Sequence, residues 1–271
     1  LNYYMQSPWY FSLVQEKVTG ATRQRISRKN LGEVLVSLPP LAEQQRIVVK
    51  LDAAFAGIDE AVELAEAREQ RTKILQSAAL ASIMVASGWE TAALGDICDF
   101  QGGSQPPKKE FVYAPKEGYI RFIQIRDFKS DKNITYIPIS KKNRLCEEDD
   151  ILIGRYGASV GQILKGLAGA YNVALMKTKP NKKKITNGWL QAYLSSPLFQ
   201  EPLMRASSRS AQNGFNKKDI ASFEVPLPTL EEQRNLLARL NAIFAKVAIA
   251  RDAFSNQKKH YFALKSAILA Q

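Results

Sequence analysis

Three loop sequences concentrate the side chains that can make directed polar contacts. Arg155-Tyr156-Gly157-Ala158-Ser159 follows the apolar run Ile151-Leu152-Ile153-Gly154. An arginine and an aromatic presented at a strand end suit hydrogen bonding to base edges and stacking on bases. Gly102-Gly103-Ser104-Gln105 is polar and glycine-rich, and leads through two prolines into Lys108-Lys109. The stretch from Arg205 to Lys218 holds Arg209, Gln212, Asn213, Lys217 and Lys218 with three serines. Glutamine and asparagine can pair bidentately with adenine and arginine with guanine, while lysine and serine hold phosphates. The candidate DNA contacts are therefore Ser104, Gln105, Lys108, Lys109, Arg155, Tyr156, Ser159, Arg209, Gln212 and Asn213. Each one alone reads first as a solvated loop residue, and the expectation for the set of three loops rests chiefly on the resemblance described below.

No comparable set of residues supports covalent chemistry. His260 is the only histidine and falls in a long helical pattern near the C-terminus. No cysteine-histidine cluster has zinc spacing. The sequence has neither a Walker A loop nor a Rossmann glycine fingerprint, and Gly154-x-x-Gly157-x-x-x-Gly161 has the wrong spacing for one. An Asn-Pro-Pro-Tyr-like motif of amino-methyltransferases is also missing. Glu147-Glu148 reads as a solvated turn. The chain is expected to hold no catalytic residue, no metal and no cofactor.

Charge agrees with a polyanionic partner. The 271 residues carry a formal net charge of +12. In 89–228 alone, Lys and Arg outnumber Asp and Glu by 21 to 14. A surplus of this size favours nucleic acid. No apolar run reaches the roughly 18 residues of a membrane span. Cys98 and Cys146 suit free thiols in a reducing cytoplasm, the expected location.

The elements that must position these loops read as mixed. Strand candidates are Tyr119-Ile125, Ile134-Ile139, Asp150-Gly154, Gly161-Ile163, Ala170-Met176 and Ser222-Pro226. Helix candidates are Gly188-Ser195 and a second that starts at Ser196-Pro197. Lysine-rich turns, 141–144 and 181–184, separate them. The expectation for 89–228 is an α+β domain with long basic loops.

The flanks of that domain repeat each other at an offset of 189. The offset pairs Leu1 with Leu190, Pro8 with Pro197, Lys29 with Lys218 and Pro39 with Pro228. It continues through Glu43 and Glu232, Gln44 and Gln233, and Phe55 and Phe244. Each copy ends a strand-like run in Leu-Pro and then enters a long helix. The seam Ile47, Leu51, Ala54, Ile58, Ala61, Ala65, Arg68, Thr72, Leu75, Ala79 is heptad-spaced. Adding 189 gives Leu236, Leu240, Ile243, Val247, Ala250, Phe254, Gln257, Tyr261, Leu264, Ile268. Thr229 and Glu232 fit a capping box, and Pro39-Pro40 opens the first copy. A helix of some 45 residues is a rod of roughly 65 Å, a spacer, a dimerisation element or a docking surface rather than the core of one small domain. The two rods are expected to pack antiparallel.

The boundary sequences carry a resemblance. Val36-Ser37-Leu38-Pro39-Pro40-Leu41-Ala42-Glu43-Gln44-Gln45 and Val225-Pro226-Leu227-Pro228-Thr229-Leu230-Glu231-Glu232-Gln233 resemble the domain-to-helix motif of type I restriction-modification specificity subunits. Asp150 through Gly161 and Ser210-Ala211-Gln212-Asn213-Gly214-Phe215-Asn216 resemble the family's strand-and-glycine segment and its approach to the last strand.

The resemblance implies a DNA-specificity subunit without catalysis of its own. Its recognition domain would read one half of a split site in double-stranded DNA. Its helices would space the halves and dock modification (methyltransferase) subunits, which would carry the S-adenosylmethionine chemistry. Restriction subunits would join to cleave. The expected organisation is 1–41 as the C-terminal remnant of an upstream recognition domain, 42–88 as the central long helix, 89–228 as the recognition domain, and 229–271 as the distal long helix. The counterpart of 89–189 is missing before residue 1, so the chain is expected to be N-terminally incomplete or a natural half-subunit. The alternative is a half-subunit that homodimerises through its helices to read a symmetric site. A free-standing methyltransferase or nuclease lacks its motifs.

Overall fold

Ser7 and Ser27 each open a short helix by accepting the backbone N–H of the residue three positions on, from Tyr10 at 3.2 Å and Asn30 at 3.0 Å. The helices are α1 (Asn2–Gln6), α2 (Pro8–Gln15) and α3 (Arg28–Gly32). The 45-residue α4 (Leu41–Val85) follows, and Pro40 accepts its first N–H groups, from Glu43 at 2.9 Å and Gln44 at 3.0 Å. This computed structural model describes residues 1–20, 23–85, 88–208 and 214–270. The chain divides into two units, 1–75 with 245–271 and 76–244.

The second unit is mixed α+β. In chain order it holds β1 (Thr91–Ala93), α5 (Leu94–Ile97), β2 (Cys98–Gly102), β3 (Tyr119–Ile123), β4 (Tyr136–Pro138), β5 (Leu145–Cys146), β6 (Leu152–Gly154), β7 (Ile163–Leu164), β8 (Gly169–Tyr171) and β9 (Leu175–Pro180). Then come α6 (Asn187–Ser195), α7 (Pro197–Ser207), α8 (Lys217–Ile220), β10 (Glu224–Pro226) and α9 (Leu230–Leu269), of which the last runs on into the first unit. One four-stranded sheet has the order β2-β9-β6-β7, all antiparallel. A second has the order β4-β3-β8-β5, with β3 and β8 parallel. β1 and β10 form a separate antiparallel pair, Ala92 opposite Val225.

The main core gathers on α6 and α7. Trp189, Leu190, Tyr193, Leu194, Phe199 and Leu203 are fully buried there with Leu94, Ile97, Ile153 and Val225, and Leu80 and Met84 of α4 join Leu240 of α9 in the same cluster. The Trp189 indole N–H donates to the Pro226 carbonyl at 2.8 Å, so the aromatic bulk is buried without an orphaned donor. Trp89 meets its ring edge-on at 5.7 Å. Cys98 and Cys146 are free and buried. Burial pushes their thiols up, Cys98 to about 12 and Cys146 to about 11. The folded chain thus keeps protons that an unfolded one loses near pH 9. Stability held below that pH is expected to fall as pH rises towards the folded values. Both thiols are expected to resist iodoacetamide at pH 8 until denaturant is added. Mass spectrometry checks this, and rapid alkylation of either cysteine in the native protein would contradict it.

The capping box at α9 forms as the spacing predicts. Thr229 N and Oγ1 donate to Glu232 Oε2 at 2.9 and 2.8 Å, and Glu232 N donates to Thr229 Oγ1 at 3.3 Å. In the first unit, Lys265 of α9 pairs with Asp59 of α4 at 2.9 Å, and Lys258 pairs with Glu66 and Glu69 at 3.5 Å. The Arg68 guanidinium lies 6.0 Å from the Phe254 ring centroid. Numbers rise along α4 as they fall along α9, so the helices are antiparallel. Such exposed ion pairs add little stability, and their use is to fix register.

The seam follows the expected one at most positions and differs at several. Phe55 and Ile58 are buried, as are Ala65 and Thr72, whereas Leu75, Ile243 and Leu264 are exposed. At these positions the next residue is the better covered one, Phe55 rather than Ala54, Gln76 rather than Leu75, Phe244 rather than Ile243 and Lys265 rather than Leu264, while Ala61, Ala250 and Gln257 of the expected seam are half-buried. Phe55 is the reason on α4: a phenylalanine gains more from burial than the neighbouring Ala54.

The two copies of the repeat differ in burial. Leu190, Tyr193 and Phe199 are at 0% exposure, while their counterparts Leu1, Tyr4 and Tyr10 are exposed or half-buried, Leu1 at 70%. Within the first unit an apolar groove of about 700 Å³ is lined by Tyr3, Trp9, Leu38, Gln44, Leu51 and Ile268.

Candidate nucleic-acid interface

The loops singled out by sequence converge because of one strand. β9 is the centre of its sheet, and both β2 and β6 run antiparallel to it. Gly102, the last residue of β2, stands opposite Met176, and Gly154, the last of β6, stands opposite Leu175. Both strands therefore end beside the start of β9, where 103–105 and 155–159 emerge. The turn 172–174 that feeds β9 lies between them. Asn172 builds this turn by accepting the Ala174 N–H on its own side-chain oxygen at 2.8 Å.

Backbone bonds fasten the loops to one another. Ser104 N donates to Tyr171 O and Val173 N to Ser104 O, both at 3.0 Å. Gly103 must be glycine, since a Cβ would lie 2.1 Å from the Asn172 carbonyl oxygen. A third segment arrives through the bridge of Gly214 with Tyr156. A Cβ on Gly214 would meet the Tyr156 ring at 2.6 Å. The buried Tyr171 phenol donates to Gln101 O at 3.0 Å, and burial holds it above the usual tyrosine range, so it ties the end of β2 as a neutral group.

Arg155 sits at the meeting point, half-buried. Its backbone N–H donates to Ala174 O at 2.9 Å. Its guanidinium makes two long bonds to carbonyls, Nε to Phe215 O and Nη1 to Val173 O, both at 3.4 Å, and lies 4.9 Å from the Tyr156 ring centroid. A guanidinium has five N–H donors, so the brace leaves others for a partner. Tyr156 is exposed, and Ser159 closes the turn by donating to Tyr156 O at 2.7 Å. Gln105 is exposed, with its Oε1 accepting from Asn172 Nδ2 at 2.7 Å and its Nε2 making a long bond to Pro106 O at 3.4 Å, so one amide N–H remains as a donor.

Ser104, Gln105, Arg155, Tyr156 and Ser159 are thus brought to one end of the sheet, where β9 starts. Lys108 and Lys109 are exposed in a single 3-10 turn three residues further along the chain from Gln105. Arg209, Gln212 and Asn213 lie outside the described residues. Lys217 has another use, an ion pair with Asp99 of β2 that holds this carboxyl below the usual carboxylate range. Sequence reasoning missed Asn172, which joins two of the loops. Its signal was the Asn-x-Ala turn inside an apolar run.

Residues 86–257 match the family model described as type I restriction modification DNA specificity domain. The chain is 27% identical over 99% of its length to the type I restriction enzyme EcoBI specificity subunit of Escherichia coli, and 25% identical over 99% to the EcoKI specificity subunit of Escherichia coli strain K12. It spans 64% and 63% of those two relatives. Among solved structures, a chain from work on complex assembly and conformational transition of the type I R-M system superposes with a TM-score of 0.81 at 26% identity, covering 98% of this chain and 68% of that one. The HsdS subunit from Thermoanaerobacter tengcongensis gives a TM-score of 0.57 at 26% identity, covering 98% and 67%. The family model covers well over half of the chain, which belongs to the type I restriction-modification DNA specificity family.

Proposed function

We propose that this chain reads one half of a bipartite DNA site through the surface around Arg155 and Gln105, and docks methyltransferase subunits on its long helices. In this reading 89–228 is the recognition domain and 229–271 the distal helix. The chain itself does no chemistry. S-adenosylmethionine belongs to the modification subunits, cleavage belongs to restriction subunits, and the assembly works on DNA in the cytoplasm. The observation that carries the reading is the convergence of 103–105, 155–159 and 172–174 at the start of β9. An arginine with spare donors, an exposed tyrosine and an exposed amide with a donor left over meet there. These groups suit base acceptors in the major groove.

Arg155→Ala is expected to weaken binding to the specific site by about 1–3 kcal/mol, roughly fivefold to 150-fold. Binding to random duplex should change far less. Fluorescence anisotropy of the assembled complex on both DNAs checks this, with the specific site taken from methylome sequencing of a host that carries the locus. Equal losses on the two DNAs would make Arg155 a phosphate contact.

A further inference from the structure

At the start of α9 one buried amide holds three backbone groups. Gln233 Oε1 accepts the Thr186 N–H at 2.8 Å, and Nε2 donates to Lys184 O at 3.0 Å and to Pro228 O at 2.9 Å. The side chain is at 0% exposure. An amide nitrogen has two donors, and both are spent here. The partners come from two segments. Lys184 and Thr186 belong to the turn that starts α6, where the Thr186 hydroxyl caps the helix by accepting Trp189 N–H at 3.1 Å. Pro228 lies just before the capping Thr229.

The remaining attachment of α9 in this unit is apolar, through Leu236, Leu237, Leu240 and Phe244. Apolar burial is non-directional, so a helix held by leucines alone can roll or slide at small cost. A planar amide with its donors and acceptor committed allows no such movement without leaving buried backbone groups unpaired. The repeat supports a role tied to the junction. Gln44, 189 positions earlier, donates from Nε2 to Pro39 O at 2.7 Å, the counterpart of the Pro228 bond at the start of the other long helix.

We propose that Gln233 is a positioning residue that fixes the direction in which α9 leaves the recognition domain. The clamp would thereby set where the DNA-reading loops stand relative to the helix that spaces the site. Only this consequence rests on the proposed function; the clamp itself does not.

The test places nitroxide labels at Lys141→Cys, on an exposed turn of the domain, and at Ala238→Cys, on the exposed face of α9, in the full chain. The buried Cys98 and Cys146 are left in place. Pulsed electron resonance of the otherwise unaltered chain should give one narrow distance distribution at all pH values used. Gln233→Leu, which keeps the bulk and loses all three bonds, should broaden or shift it while helix content by circular dichroism stays constant. Gln233→Glu should be broad at neutral pH, where a carboxylate faces two carbonyls. It should narrow on acidification as the neutral acid regains a donor, a recovery that simple loss of stability would not produce. An unchanged distribution in Gln233→Leu would overturn the proposal. If that variant fails to fold, a Gln233→Glu distribution that ignores pH would overturn it. No DNA enters the measurement, so a failed clamp and a failed DNA-reading assignment are told apart.

Discussion

Replacing Trp189 with alanine is expected to lower the stability of the unit 76–244 by about 3–5 kcal/mol, the usual cost of deleting a buried tryptophan. Trp189 is at 0% exposure in the middle of the main core. Its side chain packs against Trp89, and its indole N–H satisfies the carbonyl of Pro226, the residue where β10 ends. Alanine would open a cavity and leave that carbonyl without its partner. Trp189→Phe separates the two contributions, since it keeps an aromatic ring and loses only the hydrogen bond and part of the volume. Its cost should be smaller, about 1–3 kcal/mol. Urea denaturation followed by circular dichroism measures both. If Trp189→Ala cost less than about 1 kcal/mol, the site would be collapsing around the missing side chain, and a rigid core there would be ruled out.

The affinity of the assembled complex for DNA is expected to fall steeply with salt. Neutralising six or more phosphates releases their counterions, and affinity then drops by about a thousandfold or more between 50 and 200 mM salt. The basic surplus of 89–228 supplies the charge, and the exposed Lys108 and Lys109 follow Gln105 by three and four residues in the chain. Changing both to alanine should flatten the logarithmic salt slope by about 1 for each phosphate that is no longer neutralised, with little effect on which sequence is preferred. Anisotropy titrations over a salt series give the slope. A slope near zero, or undetectable binding at about 50 mM salt with modification subunits present, would remove DNA from the role of 89–228.

Much of this protein is determined by sequence alone, because it depends on near neighbours in the chain. The start of α9 follows from Thr229 and Glu232, three residues apart, and the structure shows both of their reciprocal bonds. The seven-residue period that makes α4 and α9 long paired rods is also local. So are the strands Tyr119–Ile123 and Leu152–Gly154 and the basic, glycine-rich loops. The Leu-Pro-x-Leu-x-Glu-Gln pattern at both boundaries was enough to point to the family.

Other features were decided by contacts between distant residues. Thr91–Ala93 is a strand only because Glu224–Pro226, more than 130 positions on, pairs with it. The apolar run 170–176 breaks into β8 and β9 because Asn172 turns the chain and hands the two halves to different sheets. The helix seam buries Phe55 rather than Ala54, which a pattern of equally apolar spacings does not specify. The clearest case is the repeat itself. Leu1 and Leu190 occupy the same place in the same pattern, yet one is at 70% exposure and the other at 0%. The pattern states which side chains gain from burial. Whether a side chain is buried depends on what the rest of the fold brings against it, and residues 89–189 bring the strands and α5 that cover the second copy. The same holds for the candidate site. Residue types named its members, but only the antiparallel pairing of β2 and β6 on β9 placed Gln105 and Arg155 at one end of the sheet, because strands that flank a common partner in the opposite direction must end together where it begins.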